Sequence, residues 1–210
     1  MRIGILGSGD VAKALARGFR ARGHDVRIGS REPEKLEEFA RETGSSAGSF
    51  ADAAAFGDPV VVATLFSGTK NALELAGIEN FGGKTVLDVT NPLKFEEGKL
   101  PELALGFNDS AGESIARWLP NAHVVKAFNS VGSPYFVDPQ FAEGKPSMFM
   151  AGDDQNAKDT IAGIIESFGW DPIDVGGIVE SRLLEPLCIL WVRYGIRSAN
   201  WHHAFKLLRG

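Results

Sequence analysis

Hydrophobic residues along the chain fall into short continuous runs, separated by longer stretches in which they recur every three or four positions. The short runs are rich in β-branched residues, and most are apolar throughout rather than alternating. That pattern is typical of strands that are covered on both faces of a parallel sheet. The predicted strands are Arg2–Leu6, Asp25–Ile28, Pro59–Leu65, Lys84–Val89, His123–Phe128, Ser147–Ala151 and Asp171–Val175.

Amphipathic helical segments lie between these strands. Val11, Leu15 and Phe19, for example, have the spacing of one buried stripe on a helix. Regular alternation of strands and helices indicates an α/β fold with a Rossmann-like, doubly wound and mostly parallel sheet. The polar segment 91–108 is predicted to be a surface loop beside the ligand site rather than a domain boundary. The predicted helices are Val11–Arg22, Pro33–Thr43, Thr69–Ala76, Ser110–Leu119 and Asp154–Phe168.

The last part of the chain has a different pattern. Residues 181–208 are predicted to form one or two helices, and positions 183–192 are apolar on almost every face. A helix that is hydrophobic all round must be buried, yet the outer face of a terminal helix remains open. We therefore expect residues 1–178 to form the Rossmann domain and 179–210 to form a helical segment packed on it. A second copy would cover the open face in a homodimer; burial within one chain is the alternative.

Composition and charge narrow the possible partners. The 210 residues are 44% hydrophobic and 23% charged, with 22 basic against 27 acidic side chains and a net charge of −5. The chain has no basic stripe of the kind that nucleic-acid binding requires. Its longest apolar stretch, 187–192, is far shorter than the roughly 20 residues of a membrane helix. With a single cysteine, Cys188, and no secretory signal, we expect a cytoplasmic protein without nucleic-acid or membrane partners.

The clearest motif directly follows the first predicted strand. Residues 7–12 are Gly-Ser-Gly-Asp-Val-Ala, which matches G-x-G-x-x-G/A. Gly7 permits a tight turn, Gly9 lets a pyrophosphate approach the backbone, and Ala12 lets the helix pack closely on the strand. The N–H groups at the helix N-terminus favour an anion. The motif therefore predicts a dinucleotide site. The residues expected to contribute are Gly7, Ser8, Gly9, Asp10 and Val11.

The end of the second strand indicates which dinucleotide this is. An NAD site usually places an acidic residue there, on the ribose 2′-hydroxyl. This chain instead has Gly29-Ser30-Arg31, with Lys35 one helical turn later. Arginine can hold a 2′-phosphate with two hydrogen bonds and stack on adenine. Ser30, Arg31 and Lys35 therefore predict NADP(H); the alternative is that Arg31 and Lys35 are ordinary surface charges.

The segments that follow the other strands are expected to line the rest of the cleft, since a ligand of a doubly wound sheet lies across the strands' carboxyl ends. Asn91 and Asn129 would place amide groups near the nicotinamide. Apolar walls would come from Leu65, Pro92 and Phe128. Asparagines in loops also form turns, so that role remains the alternative. The other expected contacts are Thr64, Phe66 and Ala127.

The predicted site lacks an evident acid–base pair. His24 and His123 precede strands, so they are expected at the opposite edge of the sheet, and the adjacent His202 and His203 would diverge on a helix and make a poor metal pair. Carbonyl reduction needs a proton donor. Hydride exchange with a flavin-like ring needs two rings stacked in a dry cleft instead. The sequence therefore favours a flat redox partner and no metal.

Six motifs of the chain occur together in one order: Gly7–Ala12, Gly29–Arg31 with Lys35, Asp88–Leu93, Val125–Asn129, Ala151–Asp154 and Ser181–Glu185. In this combination, the chain resembles the coenzyme F420-dependent NADP oxidoreductases and the related cytoplasmic domain of the STEAP metalloreductases. The resemblance implies a Rossmann fold, NADP held by the glycine loop with Ser30, Arg31 and Lys35, and a homodimer built on C-terminal helices. It also implies hydride transfer between the nicotinamide and a deazaflavin, coenzyme F420, although many members have Pro where Phe66 stands.

Three hypotheses for the function follow. The first is an NADPH-linked oxidoreductase whose partner is a deazaflavin or another flavin. The second is the reduction of a small carbonyl or imine with a proton from water or Ser130, or of a ferric acceptor. The third is a non-catalytic NADP-binding redox sensor. We expect the first, because an NADP-type loop occurs here without acid–base residues.

Overall fold

The chain forms alternating strands and helices, which the computed structural model describes from residue 1 to residue 209. Short 3₁₀ turns also occur, one of them directly before α2. The strands are β1 Arg2–Leu6, β2 Asp25–Gly29, β3 Ser46–Gly48, β4 Val60–Val62, β5 Thr85–Asp88, β6 Leu93–Lys94, β7 Glu102–Leu103, β8 His123–Lys126, β9 Ser147–Gly152 and β10 Asp171–Asp174. The helices are α1 Asp10–Ala21, α2 Glu37–Thr43, α3 Phe50–Phe56, α4 Phe66–Ala76, α5 Ala111–Trp118, α6 Gln155–Ser167 and α7 Ser181–Ser198.

Eight of these strands form one sheet in the order β10-β9-β8-β5-β4-β1-β2-β3. The neighbours from β8 to β3 are parallel, whereas β9 pairs antiparallel with β8 and carries β10 parallel to itself. The predicted doubly wound, mostly parallel sheet is therefore confirmed. The winding reverses between β1 and β4, so the crevice expected to hold a ligand opens where these two strands end.

Both faces of the sheet are covered, which explains why the strands are apolar throughout. Ile3, Ile5 and Val61 face the layer that contains α1 and α6. Val60 and Val62 face the other layer, which contains α3, α4 and α5. Successive strand residues thus enter opposite cores, as the two-residue period of a strand requires.

The structure adds elements that the hydrophobic pattern did not predict. Strand β3 and helix α3 occupy 46–56, and β6 and β7 form a hairpin inside the predicted surface loop 91–108. Helix α3 begins with a capping box, in which Ser49 accepts the amide of Asp52 and the Asp52 carboxylate accepts the amide of Ser49. This S-x-x-D signal is present in the sequence. The predicted helix 33–43 is divided into a 3₁₀ turn and α2.

The C-terminal segment contains one helix, and the prediction of helix is wrong beyond Ser198. Ala199 adopts a left-handed conformation with φ of 53°, which ends α7. The following chain is held by aromatic contacts: the His203 ring stacks on Trp191 at 4.6 Å, and the Trp191 indole donates to the His203 carbonyl at 2.8 Å. It then runs beside the start of β9, where Ser147 donates to the Phe205 carbonyl.

Helix α7 is buried on one side only. Leu184, Cys188 and Trp191 lie in the interior. On the opposite side, Leu190 and Tyr194 are 56% and 54% exposed, and neighbouring Leu183 is exposed as well. Within residues 1–209, no helix has the length and apolar character needed to cross a bilayer.

Two glycines offer a paired test of this packing. A Cβ at Gly4 would clash with the Ala53 carbonyl of α3, whereas a Cβ at Gly163, on the exposed side of α6, meets nothing within 4 Å. We expect Gly4→Ala to destabilise the protein by about 3 kcal/mol or more, because β1 and α3 must separate. Gly163→Ala should stabilise it by up to about 1 kcal/mol through helix propensity. Urea unfolding measures both; equal stability of the two variants would contradict this packing.

Candidate functional site

The turn between β1 and α1 has the geometry that the glycine motif predicts. Gly7 has a φ of 139°, and a side chain there would clash with the Ala63 carbonyl. Its amide donates to the Gly29 carbonyl at 2.9 Å, which joins the ends of β1 and β2. Ala12 is fully buried beneath the turn. The space beside Gly9 is open, since a Cβ there would meet no atom within 4 Å.

The N-terminus of α1 faces this open space without a side-chain cap. Gly9 is the N-cap residue, and no side chain bonds to the first helical amides. These amides, together with the helix dipole, can therefore bind an anion by donating hydrogen bonds to it. Ser8 and Asp10, on either side of Gly9, are exposed. The arrangement fits a pyrophosphate lying against the backbone.

The end of β2 brings Ser30 and Arg31 beside this turn, because Gly29 pairs with Leu6. Ser30 is buried, and its hydroxyl accepts the Glu32 amide at 3.1 Å. Arg31 is exposed and forms no ion pair with another residue of 1–209. Lys35 is paired with Glu32, a contact that the sequence did not predict, and this bond lowers the pKa of Glu32 and raises that of Lys35.

After β4 the chain turns through Thr64 and Leu65 into α4. The Thr64 hydroxyl bonds to that of Thr69 at 2.8 Å, which steadies the turn. Leu65 is 80% exposed and offers an apolar surface at the mouth of the crevice. Phe66 stacks on Trp118 of α5 at 5.8 Å, so its ring packs against a neighbouring helix.

Asn91 and Asn129 are brought together, as their placement after β5 and β8 predicts. The Asn91 amide donates to the Asn129 carbonyl at 2.9 Å, and the Asn129 amide donates to Asn91 Oδ1 at 3.2 Å. Asn129 also donates to the Leu184 carbonyl of α7 at 2.8 Å and is only 3% exposed. It therefore links two loops to α7 rather than presenting a free amide to the crevice.

Phe128 is a core residue, and its expected role as an apolar wall is wrong. Its φ of 55° lies in the left-handed region, which ends β8 and turns the ring inward. The ring packs edge-on against Phe136 and Phe168 at 5.6 and 5.7 Å. Ala127 is likewise fully buried, whereas Asn91 is half-buried and Pro92 is buried.

A buried charge network at this edge was missed by the sequence analysis. Lys126 Nζ lies 2.7 Å from Asp88 Oδ2 and 3.1 Å from Glu185 Oε1, and it donates to the Thr90 carbonyl at 2.6 Å. The three side chains are at most 1% exposed as residues. Burial alone would lower the pKa of Lys126, but the two carboxylates outweigh it and raise that pKa. One signal was available: Glu185 is the sole acidic residue in the apolar stretch 183–192.

The remaining titratable candidates lie elsewhere. His24 contacts the N-terminus, and burial with that positive charge lowers its pKa. His123 approaches Asp154 at the opposite edge of the sheet. Burial raises the pKa of Cys188 to about 11, so its thiol stays protonated in the interior of α7. Among the residues described, no group of three His, Cys, Asp or Glu side chains could hold a metal ion.

The sequence of this chain is similar to those of known NADP-linked reductases and metalloreductases. The family described as "NADP oxidoreductase coenzyme F420-dependent" matches residues 2–92. The F420-dependent NADP reductase of Methanothermobacter thermautotrophicus is 27% identical, with 94% of this chain and 90% of the relative covered. Metalloreductase STEAP3 of Rattus norvegicus is 29% identical over 89% of this chain. The chain spans about a third of that metalloreductase's length, since 36% of it is covered.

Solved structures agree with these sequence matches. A protein of Arthrobacter sp. FB24, provisionally assigned as an F420-dependent NADP reductase, is 36% identical, superposes with a TM-score of 0.94 and covers both chains completely. A reductive aminase of Aspergillus terreus shares the fold, with a TM-score of 0.70, 17% identity, and 94% of this chain and 62% of that chain covered. The resemblance inferred from the motifs is confirmed. This chain belongs to the family of coenzyme F420-dependent NADP oxidoreductases.

Proposed function

We propose that this protein transfers hydride between NADP(H) and a flat, flavin-like redox partner, with coenzyme F420 as the first candidate. The observation that carries the proposal is the side-by-side placement of the glycine turn and Arg31. The Gly7 amide bonds to the Gly29 carbonyl, so Gly9, with open space beside it, and the exposed Arg31 lie at neighbouring strand ends and could contact one ligand. That ligand has a pyrophosphate and a second phosphate nearby, as NADP does.

The adenosine end of the cofactor would be held by backbone amides and cations. Ser8 to Val11 would surround the pyrophosphate at the start of α1, where the first helical amides have no side-chain cap. Ser30 and Arg31 would hold the 2′-phosphate, because Arg31 has no competing ion pair in residues 1–209. Lys35 would join them after exchanging Glu32 for the phosphate.

The nicotinamide end would lie across the ends of β4, β5 and β8. Leu65 supplies exposed apolar surface there, and the bonded pair Asn91 and Asn129 fixes the distance between two of the loops. When bound, the nicotinamide supplies or accepts the hydride. The protein would position the rings and exclude water from them. The other contacts proposed at this end are Thr64, Phe66 and Pro92, whereas Ala127 is fully buried and supports the loop from inside the protein.

The charges at this edge favour a ring acceptor over a carbonyl. Lys126 ends β8 beside these loops, and its ammonium contacts Asp88, Glu185 and the Thr90 carbonyl. An ammonium has three N–H donors, so none remains to protonate a substrate oxygen. A flavin or deazaflavin stabilises the incoming hydride within its own ring system and needs no such donor. The family membership and the Methanothermobacter relative support F420 specifically.

A panel of acceptors tests this function. Purified protein mixed with NADPH should oxidise it in the presence of F420, followed by absorbance, and should do so faster than with FMN, FAD, a ferric chelate or a quinone. The ferric chelate tests the similarity to the metalloreductase. Tight NADPH binding without oxidation by any acceptor would overturn the proposal and favour a non-catalytic sensor.

The cofactor preference is tested by Arg31→Glu. Loss of a charged hydrogen bond to the 2′-phosphate, worth about 1.5–3 kcal/mol, should lower the NADPH-over-NADH preference by about tenfold to more than a hundredfold. Calorimetric titration with both nucleotides measures it. Arg197→Glu, the same change at the far end of α7, is the matched control and should leave the preference unaltered. An unchanged ratio in Arg31→Glu would refute the assignment.

We further propose that a second copy of the chain covers the exposed face of α7. Leu183, Leu190 and Tyr194 recur there at helical spacing, and a two-fold axis would pair this stripe with itself. Sedimentation equilibrium should give a dimer, and Leu190→Glu should shift it towards monomer. Leu75→Glu, at a similarly exposed leucine on α4, should not. A monomeric wild type at micromolar concentration would exclude this interface.

A further inference from the structure

Three charged side chains from distant parts of the chain meet inside the carboxyl edge of the sheet. Asp88 ends β5, Lys126 ends β8 directly opposite it, and Glu185 enters from α7. Both oxygens of Glu185 also accept backbone amides that open α5, those of Ala111 and Gly112, at 3.1 Å. The ammonium and this helix N-terminus together offset the two buried carboxylates.

Such a network is a poor source of stability. Taking charges out of water costs nearly as much as their attraction returns, and apolar side chains of similar volume often serve the fold equally well. The bonds of the network to the backbone, in contrast, fix the position of one particular residue, Thr90. Lys126 donates to the Thr90 carbonyl, and the other Asp88 oxygen accepts the Thr90 amide at 2.8 Å. Both polar groups of the Thr90 backbone are therefore fixed from inside the protein.

The residue after Thr90 continues this chain of contacts. Asn91 bonds to Asn129 in both directions, and Asn129 donates to the carbonyl of Leu184, the neighbour of Glu185. The contacts thus form a closed ring from β5 through β8 to α7 and back. A shift of α7 should move the loops after β5 and β8 with it, because the bonds of Lys126 and Asp88 to Thr90 and of Asn129 to Leu184 are buried, where water does not readily replace them.

We propose that Lys126, together with Asp88 and Glu185, is a positioning residue that sets the geometry of hydride transfer by holding the 90–92 segment against α7. The proposal rests on the proposed function, since this segment lies at the nicotinamide end of the cleft. The adenosine end is held by separate elements, the α1 turn and the end of β2. Loss of the network should therefore slow hydride transfer while leaving NADPH affinity nearly unchanged.

The first variant is Glu185→Gln, which keeps the shape of the side chain and removes its charge. The second is the combination Asp88→Asn, Lys126→Met and Glu185→Gln, which leaves no uncompensated buried charge and so keeps the test open if the single variant fails to fold. Glu113→Gln is the matched control. Glu113 pairs with Arg182 between the same two helices, α5 and α7, but does not touch Lys126 or Thr90.

Three measurements are made: NADPH affinity by calorimetry, the emission of bound NADPH, and single-turnover oxidation of NADPH deuterated at C4 by the best acceptor of the wild type. We expect Glu185→Gln and the combined variant to bind NADPH within about threefold of the wild type. They should transfer hydride about tenfold or more slowly, with a changed isotope effect and changed nicotinamide emission. Glu113→Gln should match the wild type in all three.

Several results would overturn the proposal: a wild-type rate in either network variant, an equal loss of rate in Glu113→Gln, or NADPH affinity falling in proportion to rate. If neither network variant folds, the network is purely structural, and the positioning proposal is overturned as well. The proposed function fails separately, through a wild type that oxidises NADPH with none of the acceptors, whether or not it binds the nucleotide. If the wild type and the network variants transfer hydride equally well, only the positioning role is rejected.

Discussion

The close contact of Gly7 with its two neighbouring strands is the constraint on which the rest of the site depends. Its amide bonds to the end of β2, and its α-carbon lies so near the Ala63 carbonyl after β4 that no side chain fits. The turn into α1 therefore sits at the point where the winding of the sheet reverses. One direction from it leads to Arg31, and the other leads to the loops after β4, β5 and β8. Such a crevice accommodates an elongated ligand whose two ends contact different loops.

The two ends of this crevice are built differently. At the β2 end the cations are exposed, and one of them, Lys35, is paired with Glu32. At the other end the charges are buried, and the loops are tied to α7 by Lys126 and Asn129. Exposed cations can adapt to a phosphate as it arrives, whereas fixed loops preserve distances between reacting rings. This division suits an enzyme that gains affinity at the adenosine end and geometry at the nicotinamide end.

Much of the fold could be predicted from the sequence because both faces of the sheet are covered, so that Ile5 and Val61 belong to continuous apolar runs. The glycine loop was predictable because its residue types and their spacing are local features of the sequence. Other features depend on tertiary contacts. Phe128 appeared to be a cleft wall, but its left-handed backbone turns the ring into the core. Glu185 could not be paired with Lys126, because nothing in a helical pattern states which strand the helix will meet. Helix α7 ends at Ser198 through the conformation of one alanine.

The most direct measurement of the central claim is calorimetric titration of the wild-type protein with NADPH, NADH and adenosine 2′,5′-bisphosphate. The account predicts that NADPH binds at least about tenfold more tightly than NADH. It also predicts that the bisphosphate, which carries only the adenosine end, competes with NADPH for the same site. Equal affinity for the two dinucleotides, or absence of any heat with NADPH, would contradict it.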